Sequence, residues 1–138
     1  MRPGMNSEAA RLNVLTDRII AAAIAVHRIL GPGLLESAYE ACLYLELVKG
    51  GLSVEREKPL PLVYDNVRLD CSYRMDLVVE KSIVVEVKSV SRIEKVHEAQ
   101  LISYLKIADL RVGLIINFNV RNLSDEGIRR KVNGFPDR

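Results

Sequence analysis

Residues 74–88 contain two short apolar runs joined by a polar turn, Arg74-Met75-Asp76-Leu77-Val78-Val79, Glu80-Lys81-Ser82 and Ile83-Val84-Val85-Glu86-Val87-Lys88. The second run is rich in β-branched residues, and the two runs together predict a pair of strands connected as a hairpin. Side chains alternate along a strand, so Glu86 and Lys88 share one face and Val85 and Val87 lie on the other. The hairpin is expected to bring Asp76, Glu86 and Lys88 together near the centre of a sheet.

This group of three charges has two interpretations. Burying unpaired charge is costly, so such a group is compensated by mutual pairing or by a metal ion. Two carboxylates and a lysine are suited to holding a divalent cation and activating a water beside it. The alternative is a structural Glu86–Lys88 ion pair with Asp76 solvated.

Size and composition indicate one globular domain. The chain has 138 residues, of which 49% are hydrophobic and 28% charged. We expect one domain over residues 1–138, with a loose leader at about residues 1–6. The net charge of +2 does not by itself indicate a nucleic-acid partner. Cys42 and Cys71 are too few for a disulfide framework, which favours the cytoplasm, and the apolar run over residues 19–26 is too short to span a bilayer.

The pattern before the hairpin predicts two helices and an edge strand. The first helix begins at Ser7 or Thr16 and ends at Gly31-Pro32-Gly33. The second covers residues 34–49 and is predicted to turn an apolar stripe inward, consisting of Leu35, Ala38, Cys42 and Leu45, with Tyr39 and Leu43 as further candidates. Residues 52–64 fit an edge strand because they include two prolines.

The pattern after the hairpin predicts a crossover. A helix over residues 93–108 separates the strand at 83–88 from a buried strand at 111–118. Two strands connected in this way lie parallel in one sheet. The basic stretch at 128–132 has no assigned structure. The fold class is therefore α/β, with helices packed on a sheet.

Other residues add candidate chemistry. Glu36 lies in the first turn of the second helix, where the helix dipole favours a carboxylate, and Tyr39 shares its face. Gln100 and Tyr104 project from one face of the third helix, where they have the chemistry to contact a phosphate or to pack as an ordinary amphipathic helix. Glu57, on the edge strand, is expected to be an ordinary surface charge.

The combination is more specific than its parts. The motif Gly33-x-x-Glu36-x-x-Tyr39, preceded by Val26-His27-Arg28-Ile29-Leu30-Gly31, closely resembles the GxxExxY family of the PD-(D/E)xK nuclease superfamily. The resemblance continues through Tyr73-Arg74-Met75-Asp76, Val85-Glu86-Val87-Lys88, Gln100-Leu101-Ile102-Ser103-Tyr104-Leu105 and Gly113-Leu114-Ile115-Ile116-Asn117-Phe118. It covers roughly residues 19–132, and Met75 replaces the superfamily's proline.

The resemblance implies a mixed central sheet flanked by helices, as in restriction endonucleases. It implies that Asp76 and Glu86 bind the metal, and that Lys88 positions or activates the attacking water. Glu36 corresponds to a helix-borne acid that serves the metal, and the Val87 carbonyl is a further candidate ligand. The resemblance also assigns Gln100 and Tyr104 to substrate binding, with Tyr39 as another candidate.

These inferences predict a nuclease dependent on Mg²⁺ or Mn²⁺, with DNA as the expected substrate. Hard oxygen ligands favour these ions over zinc. Because the chain is small, a homodimer or a protein partner is expected to add surface for gripping a duplex. Two alternatives stay open: a non-catalytic nucleic-acid-binding or protein-interaction module on the same fold, and a small-molecule phosphodiesterase.

Overall fold

The computed structural model describes residues 7–136. It contains a five-stranded mixed sheet with helices on both faces, as predicted from the sequence. The elements in chain order are α1 (Ser7–Leu30), α2 (Glu36–Lys49), β1 (Val54–Pro59), β2 (Leu62–Tyr64), β3 (Val67–Leu69), β4 (Arg74–Val79), β5 (Ile83–Lys88), α3 (Lys95–Ala108), β6 (Val112–Asn117), α4 (Leu123–Glu126) and β7 (Ile128–Val132). The predicted leader lies outside the described residues.

The main sheet has the strand order β1-β4-β5-β6-β7. Strands β5 and β6 are parallel, which confirms the predicted crossover through α3, and the other neighbouring pairs are antiparallel. The parallel register pairs Lys88 with Asn117 at the carboxyl end of both strands. The basic stretch without a predicted state forms β7, an edge strand.

Two hydrophobic layers hold the sheet. Helices α1 and α2 pack on the face that carries Leu77, Val85 and Val87. Helix α3 packs on the opposite face, which carries Val84 and Ile115. The alternation predicted for β5 is therefore confirmed, since Val85 and Val87 belong to one layer and Val84 to the other. Every residue from Ile83 to Val87 is buried, so β5 is the central strand of the molecule.

The predictions for α2 and for the edge segment were each wrong in part: the edge strand and the inward positions of Tyr39 and Leu43 are confirmed, whereas those of Leu35 and Leu45 are not. The inward side of α2 consists of Tyr39, Glu40, Leu43 and Leu47, whereas Leu35 and Leu45 are exposed. The buried stripe is thus rotated from the predicted one and includes a glutamate. The segment at 52–64 is not a single strand, because it breaks between Pro59 and Leu62. Its first part is the edge strand β1, and its second part pairs with β3 in a separate two-stranded hairpin.

Within residues 7–136, no helix is both long and apolar enough to cross a membrane.

Candidate active site

Asp76 and Glu86 meet where strands β4 and β5 stop pairing through their backbones. The regular ladder runs from Val79↔Ile83 to Leu77↔Val85. Beyond it, the side chains replace the ladder: Asp76 N–H donates to Glu86 Oε2 at 2.9 Å, and Val87 N–H donates to Asp76 Oδ2 at 2.8 Å. Each carboxylate is therefore fixed by a backbone donor of the opposite strand, and the two acids predicted to converge lie side by side.

The remaining oxygen of each acid is free to bind a ligand. Asp76 Oδ1 and Glu86 Oε1 form no hydrogen bond or ion pair within the described part of the chain. Glu86 is buried and Asp76 is half-buried. A carboxylate that is held at one oxygen and open at the other has the donor chemistry of a metal ligand.

Two further glutamates lie beside Asp76. Oxygen atoms of Glu40, Glu57 and Asp76 all lie within 4.8 Å of one another, a separation at which three carboxylates can share one metal ion. Glu40 is buried on α2, and its Oε2 accepts a hydrogen bond from Arg56 Nε at 2.9 Å. Glu57 lies in β1 with a φ of 53°. Positive φ is uncommon for residues other than glycine, and such strain is concentrated at functional sites.

These acids line an open cleft of about 430 Å³. Its lining residues are Glu36, Ser37, Glu40, Arg56, Glu57 and Asp76. The cleft therefore concentrates four carboxylates against one guanidinium, next to the buried Glu86. Such an arrangement calls for a compensating cation.

The pKa values of the acids reflect this crowding. Burial, followed by the charge of Asp76, raises the pKa of Glu86 to about 8. Burial also raises the pKa of Glu40 to about 7, although the hydrogen bond from Arg56 acts in the opposite direction. The pKa of Asp76 is raised by burial, partly offset by the Val87 N–H and the charge of Lys88. Holding all of these groups ionised is costly without a cation.

Lys88 lies at the carboxyl end of β5, on the same face of the strand as Glu86. Its charge lowers the pKa values of both Asp76 and Glu86, which places its ammonium group in their electrostatic neighbourhood. The Lys88 ammonium group forms no hydrogen bond or ion pair with any residue between 7 and 136. The amine is therefore available to a water molecule or a substrate oxygen.

Glu36 joins the cleft from the first turn of α2. Its Oε2 accepts a hydrogen bond from Ser89 N–H at 3.1 Å, and Ser89 Oγ donates to the Leu34 carbonyl at 2.6 Å. These contacts tie the start of α2 to the chain that leaves β5. Glu36 lines the cleft and raises the pKa of Asp76 through its charge, but it is outside the closest group of three acids.

Tyr39 lies in the core rather than in the cleft. Its ring is fully buried and stacks on Phe118 at a centroid distance of 4.6 Å. Its hydroxyl donates to the Gly31 carbonyl at 2.5 Å and accepts from Leu34 N–H at 3.1 Å. Tyr39 therefore holds the loop between α1 and α2, and this environment fits a structural role better than the predicted contact with substrate.

The two candidates on α3 differ in their surroundings. Tyr104 is buried, its ring lies 6.0 Å from that of Tyr73, and its pKa is raised by burial and then by the charge of Glu86. Gln100 is exposed one turn earlier, and its side chain forms no hydrogen bond within the described residues. Tyr104 therefore lies in the electrostatic neighbourhood of the acids. Substrate contacts by either residue, and a metal contact by the Val87 carbonyl, stay predictions.

Sequence reasoning missed Glu40 and treated Glu57 as an ordinary surface charge. Glu40 had a usable signal, because Glu36 and Glu40 are four residues apart and share a helix face. Placing the buried stripe of α2 on the wrong side hid that signal. Glu57 had none, since its orientation depends on a positive φ inside a strand.

Comparison with known families agrees with this geometry. A family model described as the PD-(D/E)XK nuclease superfamily matches residues 13–131. The match covers most of the chain, so the protein belongs to the PD-(D/E)XK nuclease superfamily. Searches among curated proteins and among solved structures found no match. The finer assignment to the GxxExxY family stays a prediction.

Proposed function

We propose that this protein is a metal-dependent nuclease that hydrolyses phosphodiester bonds in nucleic acid, with DNA as the expected substrate. The observation that carries the proposal is the exchange of hydrogen bonds between Asp76 and Glu86, which fixes two carboxylates side by side beside an unpaired lysine. Membership of the superfamily supports the same chemistry, because these nucleases generally use divalent metals.

The donor set fits Mg²⁺ or Mn²⁺. The residues that would hold the ion are Asp76 and Glu86, with Glu40, Glu57 and Glu36 as additional oxygen donors around the cleft. All of these are hard ligands, which suit magnesium and manganese better than zinc. When bound, such an ion stabilises the negative charge that develops on a phosphate during hydrolysis.

The chain's own residues supply orientation and charge. Lys88 would hold the attacking water in line with the leaving oxygen and stabilise the hydroxide as it forms. Its partner-free amine and its place beside both acids suit that task. Tyr104 and Gln100 would position the phosphate or the lysine from α3, and the backbone bonds to Asp76 and Glu86 keep both acids in place during the reaction.

Cleavage assays test the proposal directly. Wild type, Asp76→Asn and Lys88→Ala are incubated with linear and circular duplex DNA, single-stranded and branched DNA, RNA, and bis(p-nitrophenyl) phosphate. Each reaction contains Mg²⁺, Mn²⁺ or EDTA. We expect cleavage of nucleic acid by wild type with either metal, and losses of at least about 100-fold in both variants. Lys106→Ala is the matched control, because it removes an exposed lysine from α3.

The outcomes separate the alternatives. Cleavage that persists in Lys88→Ala or in EDTA would contradict the proposed chemistry. Turnover of the small diester alone would favour a small-molecule phosphodiesterase. Binding of nucleic acid by wild type without cleavage would favour a non-catalytic module. A homodimer or protein partner is part of the proposal as additional gripping surface, and sedimentation with and without DNA measures the oligomeric state.

A further inference from the structure

The catalytic cleft alone is poorly suited to attract a polyanion. Its lining contains four carboxylates and one guanidinium, and the whole chain has a net charge of only +2. Nucleic-acid affinity depends chiefly on lysines and arginines that neutralise backbone phosphates. A nuclease with this cleft therefore needs a separate cationic surface that its substrate can reach.

A second cavity has the opposite charge. It has a volume of about 240 Å³ and lies between the end of α1 and the start of α4. Its lining residues are Ile24, His27, Arg28, Arg121, Asn122, Leu123 and Ser124. The lining includes two arginines and no carboxylate, although the exposed Asp125 and Glu126 follow on α4.

Both arginines of this cavity are free to bind a ligand. Arg28 and Arg121 are exposed, and neither side chain forms a hydrogen bond or ion pair with any residue in the described range 7–136. In contrast, Arg11, Arg92 and Arg111 each pair with a nearby carboxylate. Two guanidinium groups beside one cavity, with their donors unused, supply the charge and the hydrogen-bond donors that bind a phosphate.

The walls of the cavity are held in place by internal contacts. His27 is buried, and its Nε2 hydrogen-bonds to the Val120 carbonyl at 2.8 Å, which ties α1 to the loop after β6. Asn122 Oδ1 accepts from Asp125 N–H at 3.2 Å and from Ser124 Oγ at 3.0 Å. The two arginines therefore extend from supported backbone on opposite sides of the cavity.

The cavity lies at the same end of the sheet as Lys88. Phe118 N–H donates to the Lys88 carbonyl at 3.0 Å, and the Phe118 ring lies 6.3 Å from His27 and stacks on Tyr39. This aromatic wall separates the arginine cavity from the start of α2, where Glu36 enters the catalytic cleft. A nucleic-acid strand that runs from Lys88 across this end of the sheet would present a further phosphate to the arginines.

We propose that the cavity between Arg28 and Arg121 is a phosphate subsite that grips the nucleic-acid backbone beside the scissile bond. The inference deepens the proposed function and rests on it for the identity of the ligand. It assigns a role to residues outside the acid and lysine set, and it explains how a chain of low net charge binds a polyanion.

Salt-dependent binding tests the subsite. A labelled duplex and a labelled single strand are titrated with wild type and with Arg28→Ala/Arg121→Ala in Ca²⁺ over a range of salt concentrations. We expect the double variant to bind about tenfold more weakly. We also expect the slope of log K against log salt to fall by about 1 to 2, because each phosphate contact contributes about 0.9.

The matched control is Lys49→Ala/Lys81→Gln, which removes the same charge from two exposed lysines. Lys49 ends α2 and Lys81 lies in the turn between β4 and β5, at the opposite end of the sheet. Arg28→Lys/Arg121→Lys, which keeps both charges, is expected to recover most of the slope. Thermal melting of each variant checks that the fold is intact.

The results distinguish this inference from the proposed function. Equal losses in the arginine and lysine variants, no loss in either, or no binding by wild type at about 50 mM salt would overturn the subsite. Metal-dependent cleavage with unaltered binding in the arginine variant would leave the nuclease proposal standing and remove the subsite alone. Arginine-dependent binding without cleavage would support the subsite and remove the hydrolytic proposal.

Discussion

The molecule contains two hairpins whose turns are alike and whose surroundings differ. Asp65 and Asn66 connect β2 to β3, and Glu80 and Lys81 begin the connection of β4 to β5; all four residues have positive φ. Such turns match the right-handed twist of a hairpin. The β4–β5 hairpin is buried in the main sheet, whereas β3 and most of β2 are exposed.

This difference shows why the charged groups of only one hairpin indicate a reaction centre. Asp70, next to β3, is exposed and caps the nearby Ser72 N–H at 2.9 Å. Glu86, on β5, is buried, and its pKa is raised to about 8 by burial and by Asp76. An ionised carboxylate that stays in water has little free-energy cost. Two buried carboxylates are costly, and they persist where a function or a bound cation compensates that cost. Burial therefore distinguishes the two acids.

The largest expected effect comes from neutralising the buried Glu86 of the β4–β5 hairpin. Glu86→Gln keeps the side-chain volume and an acceptor for Asp76 N–H, but it removes a charged metal ligand. We expect metal-dependent cleavage to fall by at least about 100-fold, and thermal stabilisation by Mn²⁺ to disappear. Initial rates on duplex DNA and melting curves with Mn²⁺ measure both effects.

Asp70→Asn is the matched control for this prediction, because it also replaces a carboxylate by an amide, at an exposed position next to β3. Its rate and its Mn²⁺-induced shift are expected to match those of wild type. If Glu86→Gln keeps the wild-type shift, the metal is not bound at this acid.

A pair of leucines measures how much each hairpin contributes to folding. Leu77 on β4 is fully buried, and Leu69 on β3 is 39% exposed. Leu77→Ala leaves a cavity in the core and is expected to reduce the free energy of unfolding by about 2–5 kcal/mol. Leu69→Ala is expected to cost less than about 1 kcal/mol. Urea denaturation compares the two variants, and equal losses would show that the exposed hairpin belongs to the cooperative core.

The contrast between the hairpins also explains what the sequence could predict. The β4–β5 hairpin and its charged trio were predictable, because a central strand is a continuous apolar run and an acid or lysine within it stands out. The family resemblance added Glu36, which does line the cleft. These sequence patterns are local, so they can be recognised without knowledge of the tertiary packing.

Glu40, Glu57 and Tyr39 were less predictable because their roles depend on packing. Glu40 faces the cleft because α2 is rotated from the orientation that its exposed leucines suggested. Glu57 reaches Asp76 through a backbone conformation that no residue pattern indicates. Tyr39 is part of the motif that carries the resemblance, yet its hydroxyl is used by the loop between α1 and α2. The motif therefore marked Tyr39 as an important residue without indicating which groups it contacts.

The buried hairpin should make stability depend on pH. The folded pKa of Glu86 is about 8 and that of Glu40 about 7, both above the ordinary value of 4.5. Between pH 4.5 and 8 the folded state therefore binds more protons than the unfolded state, so the free energy of unfolding of the metal-free protein should fall as pH rises. The slope reaches up to about 1.4 kcal/mol per pH unit for each group.

Metal should reverse this dependence, because a cation binds the ionised acids. We expect the increase in melting temperature caused by Mg²⁺ to be larger at about pH 8 than at about pH 6, because the acids are then more fully ionised. Glu86→Gln should flatten the fall in metal-free stability, whereas Asp70→Asn should leave it unchanged. A metal-free stability that rises over this range would contradict the raised pKa values.

The smallest expected effect concerns the backbone strain stored in the two turns. Lys81 has a φ of 52° and Asn66 a φ of 62°. A left-handed conformation is strained for lysine, while asparagine tolerates it. Lys81→Gly should relieve strain of about 1–2 kcal/mol and lose about 0.5–1 kcal/mol to the flexibility of glycine in the unfolded chain, for a net gain of about 0.5 kcal/mol. Asn66→Gly has less strain to relieve, and its turn lies outside the core, so its free energy of unfolding should stay within about 0.5 kcal/mol of wild type. Urea denaturation of both variants measures these changes. A larger gain at Asn66 than at Lys81 would mean that the β2–β3 turn, rather than the β4–β5 turn, stores the strain.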